Sequence, residues 1–252
     1  MTKIILVGAS GRMGQAVSVL ALKKDEFKIV AGVDIEVVNT DYPIYSNIND
    51  VKEQADVIID FSGPKVLSSL LSYCETKKMP IVIAQTALDY EMKELMKKTG
   101  EKVPVFFAPN LAFNVILFKR LVTKAAKYFK DFDIEIVERH HREKKDAPSG
   151  TALMLYESIA KELNDTKLNL SRNQTGLREP NEIGVHAVRG GHLTGEHEVL
   201  YISDDEVIEI KHLAISRNIF ATGALRAAAY AKLQKPGFYT ADNLFEGEFN
   251  DD

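Results

Sequence analysis

The sequence predicts an α/β protein, with a doubly wound parallel sheet up to about Asn110 and a smaller α+β unit after it. Three observations predict it. Compact β-branched runs alternate with stretches of helical spacing in the first part of the chain. A glycine-rich turn follows the first run directly. After Asn110 the rhythm changes to longer helices and short strand-like runs separated by turn signals.

The runs Ile4–Val7, Ile29–Val33, Val57–Phe61, Ile81–Ile83 and Val105–Phe107 are apolar almost without interruption. That pattern suits strands buried on both faces, the condition of a parallel sheet flanked by helices. Arg12–Lys24, Lys65–Lys78 and Tyr90–Lys98 have helical spacing, the last ended by Gly100. Beyond Asn110, Ala112–Phe129 reads as a helix, Phe132–His140 as a strand, and Ser149–Leu163 as a helix opened by a serine cap. Asn164–Asn181 is polar and without period, so a long loop is expected. Val185–Arg189, Glu196–Ile202 and Val207–Ala214 are expected to form an antiparallel meander with the earlier strand. Arg217–Leu233 returns as an Ala-rich helix that should dock onto the first unit.

With 252 residues, 45 % of them apolar, the chain can bury a core without metal or disulfide staples, and disorder is excluded. Thirty-two Lys and Arg against thirty-six Asp and Glu give a charge of −4, which gives the whole chain no electrostatic reason to bind nucleic acid. One cysteine, Cys74, fits a reducing compartment and reads as a small buried residue. The apolar run after Met1-Thr2-Lys3 is too short for a secretory leader, the C-terminal Asn250-Asp251-Asp252 is no lipidation signal, and no stretch is long enough to span a membrane. A cytoplasmic protein is expected.

Gly8-Ala9-Ser10-Gly11-Arg12-Met13-Gly14 follows the first strand and opens a helix. Glycine allows the tight turn and close backbone approach, and the helix start offers free N–H groups and a positive dipole end to a pyrophosphate. The spacing G-x-x-G-x-x-G is a variant of the dinucleotide fingerprint, and alone it also describes an ordinary strand-to-helix turn. Asp34 ends the second strand twenty residues after Gly14, where a carboxylate accepts hydrogen bonds from ribose hydroxyls. Ile35, Glu36 and Val37 bring no cation for a 2′-phosphate, so the reading leans to NADH over NADPH, although Arg12 could reach such a phosphate.

The passage Glu138-Arg139-His140-His141-Arg142-Glu143-Lys144-Lys145-Asp146-Ala147-Pro148-Ser149-Gly150-Thr151 concentrates cations and proton-transfer groups ahead of a helix. Two imidazoles and an ammonium supply a general acid and anion clamps, and Ser149-Gly150-Thr151 supplies a capped helix start able to hold a carboxylate. A small anionic substrate suits such a site. Each residue alone has an ordinary surface explanation; the combination within fourteen residues favours chemistry. Adjacent His140 and His141 face opposite sides of a strand, so no metal site is expected. His186 and His197, among the glycine turns of the later strands, read as structural. Ser216-Arg217 offers either a guanidinium for a cleft or a helix cap with a surface arginine.

Taken together, these passages resemble the 4-hydroxy-tetrahydrodipicolinate reductase family, also called dihydrodipicolinate reductase, over nearly the whole chain. The resemblance rests on Gly8 to Gly14 and on Glu138 with His140 to Ala152. Asp60-Phe61-Ser62, Ala108-Pro109-Asn110, Arg189-Gly190-Gly191, Gly195-Glu196-His197, Ile208 to His212 and Ser216-Arg217 support it. It implies a Rossmann-type domain built from residues 1–111 and 217–252, and a substrate-binding and oligomerisation domain at 112–216 with an open mixed sheet. It also implies a homotetramer acting on a small cyclic imine dicarboxylate with NADH or NADPH and no metal, in the diaminopimelate route to lysine.

By position, His140 is similar to the family's catalytic acid/base and Lys144 to its proton donor, while His141, Gly150 and Thr151 match substrate-binding positions. Cofactor-binding positions fall on Gly8, Ala9, Ser10, Gly11, Arg12, Met13, Asp34, Ala84, Gln85, Thr86, Ala108, Pro109, Asn110 and Leu111. Two departures stand out. Ala84-Gln85-Thr86-Ala87 replaces a Gly-Thr-Thr-Gly-like turn, and Leu111-Ala112-Phe113-Asn114 replaces small residues after Asn110. The alternatives are another NAD(P)-dependent amino- or hydroxy-acid dehydrogenase, or a dinucleotide-sensing protein without chemistry.

Overall fold

The elements run, in chain order, β1 (Thr2–Val7), α1 (Arg12–Ala21), β2 (Phe27–Val33), β3 (Ile44–Tyr45), β4 (Val57–Asp60), α2 (Pro64–Lys77), β5 (Ile81–Ile83), α3 (Tyr90–Gly100), β6 (Pro104–Phe107) and α4 (Asn114–Tyr128). They continue with β7 (Asp133–His140), α5 (Gly150–Leu163), β8 (Lys167–Leu170), β9 (Glu182–Arg189), β10 (Glu196–Ile202), β11 (Val207–Leu213), α6 (Asn218–Ala231) and β12 (Gly237–Thr240). This is a computed structural model, and it describes residues 1–85, 88–170, 175–216 and 218–245. The chain divides into two compact units, Met1–Phe113 with Asn218–Asp252, and Asn114–Arg217. The unit boundaries fall at 113/114 and 217/218, against the 111/112 and 216/217 expected from sequence.

In the first unit, seven strands among the described residues pair in the order β12-β6-β5-β4-β1-β2-β3, all parallel. The order reverses between β1 and β4, and ligands of open α/β sheets sit at such a switch point, beyond the carboxyl ends of the strands. One sheet face presents Ile5, Val7, Ile58, Ile81, Ile83 and Val105 to Leu67, Leu70, Leu71 and Cys74 of α2 and Met96 of α3. α1 packs on α6, and α6 also contacts β1, β4, β5 and β6. The inner strands β1, β4, β5 and β6 are therefore covered on both faces, which is why their runs lack alternation. α3 starts at an Asp89 cap, whose carboxylate accepts the Met92 N–H at 2.8 Å, and ends with Lys97 and Lys98 against the helix dipole. Cys74 is fully buried beside α2's core residues, and burial raises its thiol pKa.

β3 and β12 have no counterpart in the sequence reading. Both are short edge strands of two and four residues, too brief for a periodic signal.

The second unit holds a mixed sheet, ordered β11-β10-β7-β9-β8 among the described residues. β10 is antiparallel to both β7 and β11, while β9 is parallel to β7 and β8 is parallel to β9. This corrects the expected meander. The segment from β7 to β9 contains α5, long enough for the crossover that parallel pairing requires. β8 also corrects the loop expected at Asn164–Asn181. α4 and α5 cover one face, where Phe118, Val122 and Ala126 meet Leu155 and Ile159 over Ile134, Ile136, Val185, Val199 and Tyr201. The Tyr201 hydroxyl donates to the Val122 carbonyl at 2.5 Å, so the ring is buried without stranding its polar end.

Among the described residues, no helix is long and apolar enough to cross a membrane.

Candidate active site

In the first unit, the predicted nucleotide residues collect at the carboxyl ends of the parallel strands. Gly8, with φ +76°, turns out of β1, and a Cβ there would stand 2.9 Å from the Phe61 carbonyl carbon after β4. At Gly14 a Cβ would overlap the backbone of Gly8 and Ala9, so α1 can rise this close to the turn only with glycine. The Ser10 N–H donates to Asp34 Oδ2 at 2.9 Å and its hydroxyl to the Glu36 carbonyl at 2.5 Å, binding the turn to the end of β2. Gly11 caps α1 without a side-chain bond. The first N–H groups of the helix, at Arg12 and Met13, have no intrahelical acceptor and remain for an anion.

Asp34 also accepts the Glu36 N–H at 3.3 Å, which leaves each carboxylate oxygen with acceptor capacity for a ribose hydroxyl. This donor and acceptor set fits a dinucleotide.

The remaining predicted cofactor residues follow β5 and β6. Ala84 N–H donates to the Asp60 carbonyl at 3.0 Å, and Ala108 N–H to the Ile83 carbonyl at 3.1 Å. Gln85 is buried, donating from Nε2 to Asp60 Oδ2 at 2.5 Å, and its Oε1 is buried without a partner. Burial raises the Asp60 pKa, while Ser62 and Gln85 hydrogen bonds pull it back. Pro109 and Asn110 are exposed, with Asn110 Oδ1 accepting the Ala112 N–H at 2.9 Å. Leu111 is buried, and Gly223 of α6 lies directly against its carbonyl. The departure at 111–114 is thus bound up with core packing. Thr86 and Arg217 lie outside the described residues.

In the second unit, β7 carries Glu138 and His140 on its helix-covered face, and both are buried. Glu138 Oε2 stands 2.5 Å from His140 Nδ1, and Oε1 accepts the Ser149 N–H at 2.9 Å. Arg189, from β9, forks onto the same carboxylate at 2.7 and 2.6 Å. Burial alone would raise the Glu138 pKa, but Arg189, His140 and the Ser149 N–H outweigh it and hold the group below the usual range. His140 is pushed down, by burial first and by the charges of Lys144 and Arg189, against the pull of Glu138. Lys144 pairs with Asp146 at 2.8 Å in the loop that follows β7. His141 N–H donates to the Leu193 carbonyl at 2.9 Å, and His141 Nδ1 is buried with no partner among the described residues.

α5 begins at Gly150 and Thr151, capped by Ser149, whose Oγ accepts the Ala152 N–H at 3.2 Å. The same Oγ lies 2.8 Å from Nε2 of His197, and the His197 ring meets His140 edge-on at 5.2 Å. The structure therefore gathers His140, Lys144, Gly150 and Thr151 into one neighbourhood with Glu138, Arg189 and His197. His197, expected from the sequence to be structural, is a buried and hydrogen-bonded side chain, and its neighbours are the cap of α5 and His140, which the sequence reading did not foresee. Its signal was available in Glu196–Ile202, where strand alternation puts it on the same face as Val199 and Tyr201, an imidazole at a core position. His186 instead pairs with Glu135 at 2.6 Å, on the opposite face of the sheet from His140. Among the described residues, no group of His, Cys, Asp and Glu is arranged to hold a metal.

A parallel sheet with a nucleotide turn at its switch point, and a second unit built around a buried imidazole and carboxylate, define an α/β oxidoreductase of the dinucleotide-binding type. Family models for the N-terminus and the C-terminus of dihydrodipicolinate reductase match residues 2–111 and 114–245. The chain belongs to the dihydrodipicolinate reductase family. It is 44 % identical over 246 residues to the 4-hydroxy-tetrahydrodipicolinate reductase of Caldanaerobacter subterraneus subsp. tengcongensis, covering 97 % of this chain and 98 % of that one. With the enzyme of the same name from Clostridium novyi it shares 41 % identity over 251 residues, covering 98 % of this chain and 100 % of that one. Among solved structures, a dipicolinate-bound dihydrodipicolinate reductase from Paenisporosarcina sp. TG-14 superposes with TM-score 0.79 at 23 % identity, covering 95 % of this chain and 97 % of that one, a likeness of fold.

Proposed function

We propose that this chain reduces 4-hydroxy-tetrahydrodipicolinate to tetrahydrodipicolinate, with loss of water, in the diaminopimelate route to lysine. NADH or NADPH, when bound, would supply the hydride for ring carbon 4 of the substrate. Gly8 to Met13 and Asp34 would hold its pyrophosphate and ribose, and Ala84 to Thr86 and Ala108 to Leu111 are the positions expected to serve its nicotinamide end. The lean to NADH rests on Asp34, an anion with no basic residue among its three successors.

The observation that carries the reading is the buried His140, hydrogen-bonded through Nδ1 to Glu138, in the same unit as the unpartnered His141 Nδ1 and the capped start of α5. His141, Gly150 and Thr151 hold the substrate carboxylates, and Lys144 adds charge and donates a proton. His140 protonates the carbon next to the one that receives hydride. In the free protein burial favours neutral His140, and a doubly negative substrate beside it favours the imidazolium, so proton uptake accompanies substrate binding. A homotetramer formed on the face of the second unit's sheet away from α4 and α5, and a cytoplasmic location, belong to the same proposal.

Coupling the purified protein to the preceding synthase and following NADH and NADPH oxidation in parallel tests reaction and coenzyme together. His140→Gln should lower turnover on the order of a hundred- to ten-thousand-fold while largely sparing substrate affinity. Unchanged turnover would remove His140 from the role.

A further inference from the structure

Glu138 does more than neutralise a neighbour. Its side chain is fully buried, and its two oxygens meet four donors: Oε1 takes the Ser149 N–H and Arg189 Nη2, while Oε2 faces His140 Nδ1 and Arg189 Nη1. We propose that Glu138 is a positioning residue for the reaction, one carboxylate that fixes the tautomer of His140 and also anchors the residue capping α5. The proton donor and the anion-binding turn are thereby held in register. The inference rests on the reading above that His140 transfers the proton.

An ionised carboxylate is an acceptor only, so the His140 nitrogen facing it at 2.5 Å carries hydrogen in either charge state of the ring. Nε2 is then the nitrogen that gains and loses the proton. The neighbour of Nε2 is Gly195, the residue before β10, whose built Cβ would stand only 3.0 Å from it, so the glycine leaves room beside that nitrogen. Ser149, anchored by the other oxygen, caps α5 through Oγ, so a shift of the Glu138 carboxylate moves His140 and the starts of Gly150 and Thr151 together.

Arg189 sets where that carboxylate lies. Besides the fork, its Nη2 donates to the Asp146 carbonyl at 2.6 Å, which ties Glu138 to the loop bearing Lys144. The charged and titratable groups facing His140 are Glu138 on its own strand, Arg189 from β9, His197 from β10, and Lys144 with Asp146 from the loop after β7. Of these, only Glu138 bonds directly to the ring and favours its protonated form.

The test uses the full chain with Glu138→Gln and Glu138→Asp. Nitrogen-15 histidine spectra, with His140 assigned by its absence in His140→Gln, should show the Nδ1–H tautomer in the unaltered protein. In E138Q that preference should weaken and the His140 titration should move down by about one pH unit or more. Steady-state turnover on synthase-generated substrate should fall on the order of a hundredfold in E138Q, its pH profile moving with the titration, and E138D should recover part of it. NADH binding, read by fluorescence, should be unchanged.

An Nε2–H tautomer in the unaltered protein would overturn the proposal, and that measurement needs no variant to fold. An unmoved titration and pH profile in E138Q, with only a lowered melting temperature, would overturn it too. If the unaltered protein fails to turn over this substrate, the proposed reaction falls, while the tautomer and titration still decide whether Glu138 governs His140.

Discussion

Replacing His197 by Gln should make the second unit less sensitive to acid, by an amount that follows from its surroundings. His197 is 6 % exposed, and burial first, then the neighbouring His140, push it down to about 4 from its ordinary 6.5. Because Ser149 Oγ accepts from Ala152, its own O–H is free to donate to the neutral Nε2 of His197. The unfolded chain takes up this proton near pH 6.5 and the folded one only near 4, so between those values the unfolded state binds more protons and stability rises with pH. The contribution is complete above pH 6.5 and is lost as pH falls toward 4.

Between pH 7 and pH 5 the loss from this group comes to about 2 kcal/mol. His140 and His212 are also pushed down by burial and add to the acid sensitivity, but Gln at 197 removes only its own share and can keep the bond to Ser149. Urea unfolding at pH 7 and pH 5, read by pulsed hydrogen exchange of peptides spanning β10, assigns the signal to this unit. H197Q should cost about 1 kcal/mol at pH 7 through an imperfect bond, yet lose about 2 kcal/mol less than the unaltered protein on going to pH 5. Equal losses in the two proteins would show that His197 is not held neutral by its burial.

Gly195→Ala puts a methyl group about 3.0 Å from His140 Nε2, so turnover should drop on the order of a hundredfold with NADH binding untouched. Full turnover in steady-state assays would mean that the proton does not leave through that nitrogen. Asp34→Ala removes an anion that would repel a 2′-phosphate, and should weaken NADH binding by about 1 to 2 kcal/mol while weakening NADPH binding less. Fluorescence titration with both nucleotides checks it, and equal weakening would dissociate Asp34 from coenzyme choice.

The first unit was legible because its physics is local. A strand buried on both faces needs an uninterrupted apolar run, and Ile4–Val7, Val57–Ile59 and Ile81–Ile83 each supply one; β3 and β12, brief and at the two edges, leave no such mark. The contiguous part of the candidate site was equally open to reading, since Glu138 to Thr151 brings strand end, loop and helix cap in one passage. Arg189 and His197 were not read as partners of Glu138, because their place depends on β7 lying between β9 and β10. Two pairings, one parallel and one antiparallel, have to be known before either residue falls beside Glu138, and the meander expectation had one of them wrong.

Those pairings also explain how so many charges can be buried together. Across the helix-covered face, Ile208, Tyr201, Ile134 and Ile183 form one row and Ile210, Val199, Ile136 and Val185 the next. The following row is His212, His197, Glu138 and Ala187, and beyond it stand His140 and Arg189. One end of the sheet is thus hydrocarbon packed under α4 and α5, where truncating Ile136 or Val199 to Ala would cost about 1 to 4 kcal/mol, and the other end is imidazole, carboxylate and guanidinium. The apolar rows favour one strand register through packing, with the Tyr201 hydroxyl their one polar side-chain group. The polar rows inherit that register, so Glu138 meets His140, Arg189 and the Ser149 N–H with little freedom left to lose when a charged ligand arrives. A site arranged this way spends its reorganisation at folding, which is the condition under which buried dipoles and charges stabilise a developing charge more than water would.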